Sequence, residues 1–187
     1  MDEEVLRAMK KAGCHYIRFG VESGSQKMLD IMKKGTTLAR IENAFKLCRK
    51  TGIKTQAFFL FGVPGETQAT IRETIEFAKK LKPDSAQFAV VIPHPGTELY
   101  AVCKKNGWLK HKNWEDFSSC NSLIETDKLS REDIERARIR AYREFYFRPS
   151  YILRTIFKIQ SFKDLRAVVK SASSIIKRIS FFKQYIS

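Results

Sequence analysis

The stretch Tyr16-Ile17-Arg18-Phe19-Gly20-Val21-Glu22-Ser23-Gly24-Ser25 decides how the rest of the chain is read. Apolar and polar residues alternate with a period of two, then give way to small polar residues and a helical pattern. In a strand, Ile17, Phe19 and Val21 share one face, and Arg18, Gly20 and Glu22 share the other. The first face suits covering helices. The second fills a core badly, because a charged group is rarely buried unless it is paired. A carboxylate at a strand end therefore reads either as a ligand wall or as part of an edge strand with one solvated face.

Working outward, residues 2–12 (DEEVLRAMKKA) predict an amphipathic helix with acids in its first turn and lysines in its last, ended by Gly13. After the opening strand, 15–21, a short helix runs from Gln26 to Lys33 with Ser25 as its N-cap. Gly35 breaks it, and Thr36 or Thr37 caps a second helix to about Lys50. Leu38, Ile41, Ala44, Phe45 and Cys48 form the apolar stripe of that helix, so Cys48 reads as a small core residue rather than a reactive thiol. Lys54–Phe61 (KTQAFFLF) predicts a strand buried on both faces. The loop Gly62-Val63-Pro64-Gly65-Glu66-Thr67 follows, and then a helix over 68–81 with Ile71, Ile75 and Ala78 inward. Pro83-Asp84 turns the chain into a third strand, 86–92. A second Pro/Gly loop, Pro93-His94-Pro95-Gly96-Thr97, leads to a helix over 98–105.

Strands alternating with helices of this length imply right-handed crossovers and a parallel sheet. Ligands of such sheets bind at the carboxyl ends of the strands, where GVESGS, GVPGET and PHPGT all fall. That coincidence favours the functional reading of Glu22.

Beyond Asn106 the pattern changes. Residues 106–129 read as an irregular connection pinned by Trp108 and Trp114. Ser130 and Asp133 suggest a capping box opening a helix to about Phe147, which Pro149 interrupts. More helix is expected from Tyr151, and again over 162–184. The expected organisation is thus 1–105, a connecting segment 106–129, and a basic helical extension 130–187.

The 187 residues carry 35 Lys and Arg against 20 acids, a formal charge of +15, with 43% apolar residues and 14 Phe. This is a globular composition able to bury a core. Residues 131–187 hold 14 Lys or Arg and 5 acids, and so most of the surplus. Ile175, Ile176, Ile179, Phe181 and Phe182 beside Lys170, Lys177, Arg178 and Lys183 make a basic amphipathic helix. It suits peripheral contact with a membrane surface or docking on another part of the same protein. Cys14, Cys48, Cys103 and Cys120 are widely spaced, as in a reduced, cytosolic protein, and with His94 and His111 they match no standard zinc spacing. No metal ligand is assigned. No secretory signal and no membrane-spanning apolar run is present in these residues.

The succession A-G-C-H-Y-I-R-F-G-V-E-S-G-S, F-F-L-F-G-V-P-G-E-T and V-I-P-H-P-G-T-E-L-Y resembles the second half of a radical SAM domain. It is most similar to the branch with an N-terminal cobalamin-binding domain, which includes methyltransferases and cyclases. Residues 143–154 (REFYFRPSYILR) resemble the C-terminal region of that branch. The resemblance implies an α/β fold: the last three strand-helix units of a (βα)6 partial TIM-type barrel, then a helical extension. It also implies S-adenosylmethionine as cofactor. Glu22 and Ser23 would hold its ribose and methionyl parts, with Arg18 as a helper. Phe61, Gly62, Pro64 and Glu66 would pack on the nucleoside, and Val91, Ile92 and Pro93 would meet the adenine. Ribose hydroxyls suit a carboxylate acceptor, and a flat base suits backbone groups between apolar side chains.

The family holds a [4Fe-4S] cluster on a C-x-x-x-C-x-x-C loop after its first strand. No such spacing occurs among these cysteines. The expectation is a C-terminal piece of a radical SAM enzyme with no catalytic residue of its own, inactive alone and binding no cofactor stably. Its partner would be the N-terminal half, in the same protein or as a separate subunit; whether cobalamin is used would be decided by a domain upstream. Three parallel strands would leave a long open edge. The substrate is not named by these residues. A module binding anionic lipid or nucleic acid through the last 55 or so residues is the reading from another class. Nucleic acid is disfavoured, because basic charge explains none of the three loops.

Overall fold

The computed structural model describes residues 2–110, 117 and 122–183. Two compact units form, residues 1–91 and 92–187. The helix over 98–105, expected with the first domain, groups with the second.

The first unit follows the expected order: α1 (Glu3–Lys11), β1 (Tyr16–Glu22), α2 (Gln26–Ile31), α3 (Leu38–Lys50), β2 (Lys54–Phe61), α4 (Gln68–Leu81) and β3 (Ser85–Val90). The three strands form one parallel sheet in the order β1-β2-β3. Local signals set the helix ends. Asp2 accepts the Val5 N–H, and Thr37, rather than Thr36, accepts the Arg40 N–H. Thr67 and Thr70 cap α4 reciprocally. Ser25 stands at the N-cap of α2 but its side chain makes no capping bond, and α2 stops at Ile31, short of Lys33. Asp84 ties the start of β3 to β2, accepting the Thr55 N–H at 2.8 Å while its own N–H reaches the Thr55 carbonyl at 3.0 Å.

The sheet has unlike faces. Phe19 of β1 contacts Phe45 of α3, with ring centroids 4.8 Å apart, and Ala57, Phe59, Phe61, Ala86, Phe88 and Val90 are buried. Gln56, Phe58, Leu60, Gln87 and Ala89, on the alternate face, are only half-buried. The expected burial of β2 on both faces is therefore corrected: an apolar run permits two-sided burial but does not supply the second cover. The third strand also ends earlier than expected, at Val90, although the Val91 N–H still donates to the Phe61 carbonyl at 2.8 Å.

In the second unit, α5 (Glu98–Lys105) is followed by α6 (Arg131–Tyr146), α7 (Pro149–Ile156) and α8 (Phe162–Lys183). Ser130 and Asp133 form the expected capping box. Pro149 starts α7 at its first turn instead of merely interrupting a helix, as suits a residue without an N–H. The connection before α6 is less irregular than expected, since antiparallel bridges join Leu109 to Ile124 and Thr126 to Leu129. Trp108 is half-buried there, while Trp114, His111, Cys120 and Gln184 lie outside the described residues. Glu135 and Arg138 form a buried ion pair on α6; Glu135 also accepts the Ser122 N–H at 2.7 Å, fastening the preceding segment. Burial pushes the Glu135 carboxyl up, against the lowering influence of Arg138 and the Ser122 N–H.

Candidate functional site

The end of β1 departs from a regular strand where the carboxylate sits. Gly20 pairs with Phe58 and Glu22 with Phe59, so Val21 is bulged out of the ladder. Glu22 has φ 66°, and the Ser23 N–H donates to the Val21 carbonyl at 2.9 Å across it. This is a γ-turn of the rarer, strained hand, centred on a residue with a side chain. The turn carries the carboxylate back over Gly20: a Cβ at position 20 would stand 2.4 Å from Glu22 Oε1. The absence of a side chain at position 20 leaves room for it in this position. Glu22 thereby reaches the strand face of Arg18 and Gly20, as the alternation predicts, but by a bulge and a turn.

Lys34, in the loop after α2, donates to Glu22 Oε1 at 3.0 Å; both side chains keep part of their surface in solvent. A half-exposed pair of this kind is screened and adds little to stability. Its carboxylate stays open to a competing donor. Arg18 is exposed, with its guanidinium 5.9 Å from the centroid of the Tyr16 ring. A cavity of about 570 Å³ lies beside this end of β1, with Gly20, Val21, Lys34, Thr36, Arg40 and Asn43 among its walls.

The following turn is fastened to α4. Ser23, 1% exposed, shares a hydrogen bond of 3.0 Å with Thr74 Oγ1, and its own Oγ accepts the Ser25 N–H at 3.1 Å. The Gly24 N–H donates to the same Thr74 oxygen at 3.0 Å. Gly24 lies so close to α4 that an added Cβ would be 2.5 Å from Phe77 Cβ and 2.7 Å from the Glu73 carbonyl oxygen. Ser23 is thus spent inside the protein, where it organises the turn that presents Glu22.

The loop after β2 has the opposite character. Glu66 is 2% exposed and accepts the Gly62 N–H at 2.6 Å, closing Gly62–Glu66 on itself. Burial pushes its carboxyl up to about 7, opposed by the Gly62 hydrogen bond. Gly62 and Gly65 take positive φ, 86° and 95°. Pro64 is half-buried, and Phe61 is a core residue whose ring stacks on Phe88 at 6.0 Å. Val91 continues from β3, half-buried, whereas Ile92 and Pro93 belong to the second unit.

In the first unit Glu22, Ser23, Phe61, Gly62, Pro64, Glu66 and Val91 stand at or just beyond strand ends, whereas Arg18 lies inside β1, paired with Gln56. Lys34 and Thr74 were not foreseen. Thr74 lies 51 residues from Ser23, and nothing in a helix-compatible threonine announces such a bond. Lys34 had one weak signal, a basic residue in the glycine turn after the ESGS segment. Among the described residues, no group of three His, Cys, Asp or Glu could hold a metal ion. Cys48 and Cys103 are buried, and burial pushes both thiols up, as expected of Cys48 as a core residue.

Comparison with known proteins gives this geometry a context. Residues 1–78 match the model of the radical SAM superfamily. The chain is 35% identical over 167 residues to an uncharacterized methyltransferase of Pyrococcus horikoshii, covering 89% of this chain and 36% of that protein. It is 24% identical to the bacteriochlorophyllide d C-8(2)-methyltransferase of Chlorobaculum tepidum, over 98% of this chain and 41% of that one. An anaerobic magnesium-protoporphyrin IX monomethyl ester cyclase of Rubrivivax gelatinosus is 27% identical over 81% of this chain and 27% of its own length. A solved radical S-adenosylmethionine methyltransferase, TsrM of Kitasatospora setae, superimposes with a TM-score of 0.49 and 25% identity, covering 60% of this chain and 23% of that one. The chain therefore spans about two fifths or less of the length of these proteins. The similarity to the radical SAM superfamily thus covers residues 1–78, from α1 through β2 and most of α4.

Proposed function

We propose that this chain supplies the nucleoside-binding wall of a radical SAM enzyme, with Glu22 as the acceptor for ribose hydroxyls. One observation carries the reading. The fold spends a strained backbone at Glu22 and a side-chain-free position at Gly20 to turn one carboxylate onto an open face. Such strain gathers where a side chain is aimed at a ligand. A diol offering two O–H donors fits a carboxylate whose cation, Lys34, is itself half-exposed.

In this reading Arg18, exposed on the same strand face, helps by meeting the methionyl carboxylate. Ser23 and Thr74 hold the turn, and Glu66 fixes Gly62–Pro64 so that backbone groups rather than charges meet the nucleoside. Val91, half-buried just after β3, gives an apolar edge for the base. When reduced, bound S-adenosylmethionine supplies the radical chemistry of the superfamily. Cys14, Cys48 and Cys103 do not fit a [4Fe-4S] cluster, being buried or dispersed along the chain.

The cluster-bearing part would then come from another segment, of the same protein or of a separate subunit. The outer edge of β1 supports this, because β1 pairs only with β2 among the described residues. In a (βα)6 partial barrel that edge takes the preceding strand. The methyltransferases and cyclase among the relatives make methyl transfer and ring closure the two reaction classes in view, with cobalamin as a second cofactor of the whole enzyme.

The test is complementation. The chain is mixed anaerobically with a polypeptide carrying the C-x-x-x-C-x-x-C half, reconstituted with iron and sulfide, and assayed for 5′-deoxyadenosine. The mixture should cleave S-adenosylmethionine, neither part alone should, and Glu22→Gln should lower the rate at least about tenfold. Undiminished cleavage by the Glu22→Gln mixture contradicts the assignment.

A further inference from the structure

Helix α8 has two apolar faces, and only one is used. Ile179 and Phe182 are buried, and Val168 and Ile175 are half-buried. The Phe182 ring lies 6.0 Å from Tyr142 of α6 and 3.4 Å from the Arg138 guanidinium, and Arg178 donates to the Tyr142 hydroxyl at 3.0 Å. This face fastens the helix to α6.

The second face consists of Phe162, Leu165, Val169, Ala172 and Ile176. Their spacing of three, four, three and four residues lines them in one stripe, and all five are exposed. Phe162 is 86% exposed. Just before this helix, α7 and its C-terminal turn expose Ile152, Leu153, Ile156 and Phe157, the last at 82%. Single exposed apolar residues need no explanation, but a stripe of this length does. Lys163, Arg166, Lys170 and Lys177 flank one side of it, all exposed. Residues 148–182 contain eight Lys or Arg and one acid, Asp164, whose carboxylate accepts the Gln160 N–H and the Ser161 hydroxyl.

We propose that this surface binds an anionic lipid bilayer, with α8 lying in the interface: its apolar stripe enters the acyl boundary and the flanking cations reach the headgroups. Charge complementarity selects this occupant. A second copy of the chain would set Arg166, Lys170 and Lys177 against their own kind with no acid on the stripe to answer them. A nucleic acid would neutralise the cations and leave Phe162 and Val169 in water. An anionic bilayer satisfies both at once. No residue assigned to the nucleoside wall takes part, so the two readings stand or fall separately.

Sedimentation of the full chain with vesicles tests it, using phosphatidylcholine alone and phosphatidylcholine with roughly one third phosphatidylglycerol. Binding should occur on the mixed vesicles, be weak on the neutral ones and fall with added salt. Phe162→Ser with Val169→Ser should lower partitioning about tenfold or more. Lys170→Gln with Lys177→Gln should lower it roughly twenty-five-fold, about fivefold per charge. All four side chains are exposed, so helicity measured by circular dichroism should be unchanged. Equal binding to neutral vesicles, or anionic binding indifferent to the two serines, overturns the proposal. So does a dimer, dissolved by the same serines, in a chain that ignores vesicles. Binding to an oligonucleotide duplex without binding to vesicles overturns it as well.

Discussion

Glu22 closes one parallel strand and Glu66 stands in the loop beyond the next, yet their surroundings are opposed. Glu66 is sealed and spends an oxygen on the backbone of its own loop. Glu22 is turned back over Gly20 by the bulge at Val21 and a strained turn, and meets a half-exposed lysine. A carboxylate that closes a loop lowers the freedom of the chain. A carboxylate held open at conformational cost is available to something outside the chain. The residue type is the same; the backbone before it decides the use.

The largest expected effect sharpens the buried side of this contrast. Glu66 is raised from an ordinary 4.5 to about 7 by burial, so the folded chain favours the protonated form. The associated stability is fully present below about pH 4.5 and is lost as pH rises through about 7, a change of roughly 3 kcal/mol. Glu66→Gln, neutral throughout, should remove that slope. Urea midpoints of both proteins between these limits give the difference, in which the titration of Glu135 cancels. Parallel pH profiles would show that Glu66 ionises freely where it stands.

Gly24→Ala comes next. The new Cβ would press on the α4 backbone, and a loss of about 2 kcal/mol is expected in urea unfolding. Thr74→Val keeps the shape but leaves the Gly24 N–H and the Ser23 hydroxyl without their shared partner, for about 1–2 kcal/mol. The smallest stability effect belongs to Glu22→Gln, under about 0.5 kcal/mol, because its ion pair is partly solvated. A large loss there would make Glu22 a structural residue like Glu66 and erase the contrast.

Much of this arrangement was legible in the chain. Alternation gave β1, Gly and Pro marked all three strand-end loops, and a charged residue ending an apolar strand pointed to Glu22. The γ-turn was hidden, since a non-glycine residue with positive φ leaves no mark in composition. Thr74 was hidden because its partners are far away in sequence. The half-exposed face of β2 was misread, because KTQAFFLF states what can be buried and not what is there to bury it. The exposed stripe of α8 was read only in part. Phe162, Leu165, Val169 and Ala172 share its spacing with Ile176, but the densest apolar run, 175–182, belongs largely to the face that packs on α6.

The account rests most on Glu22, and a titration followed residue by residue reaches it directly. Amide resonances of the full chain are recorded as S-adenosylmethionine is added to millimolar levels, a range that reports weak binding to a single wall. The account predicts saturable shifts at Gly20, Glu22 and Ser23 that disappear in Glu22→Gln, with the unfolding midpoint of that variant unchanged. Shifts that persist in Glu22→Gln, or no shift at these three residues, would contradict it.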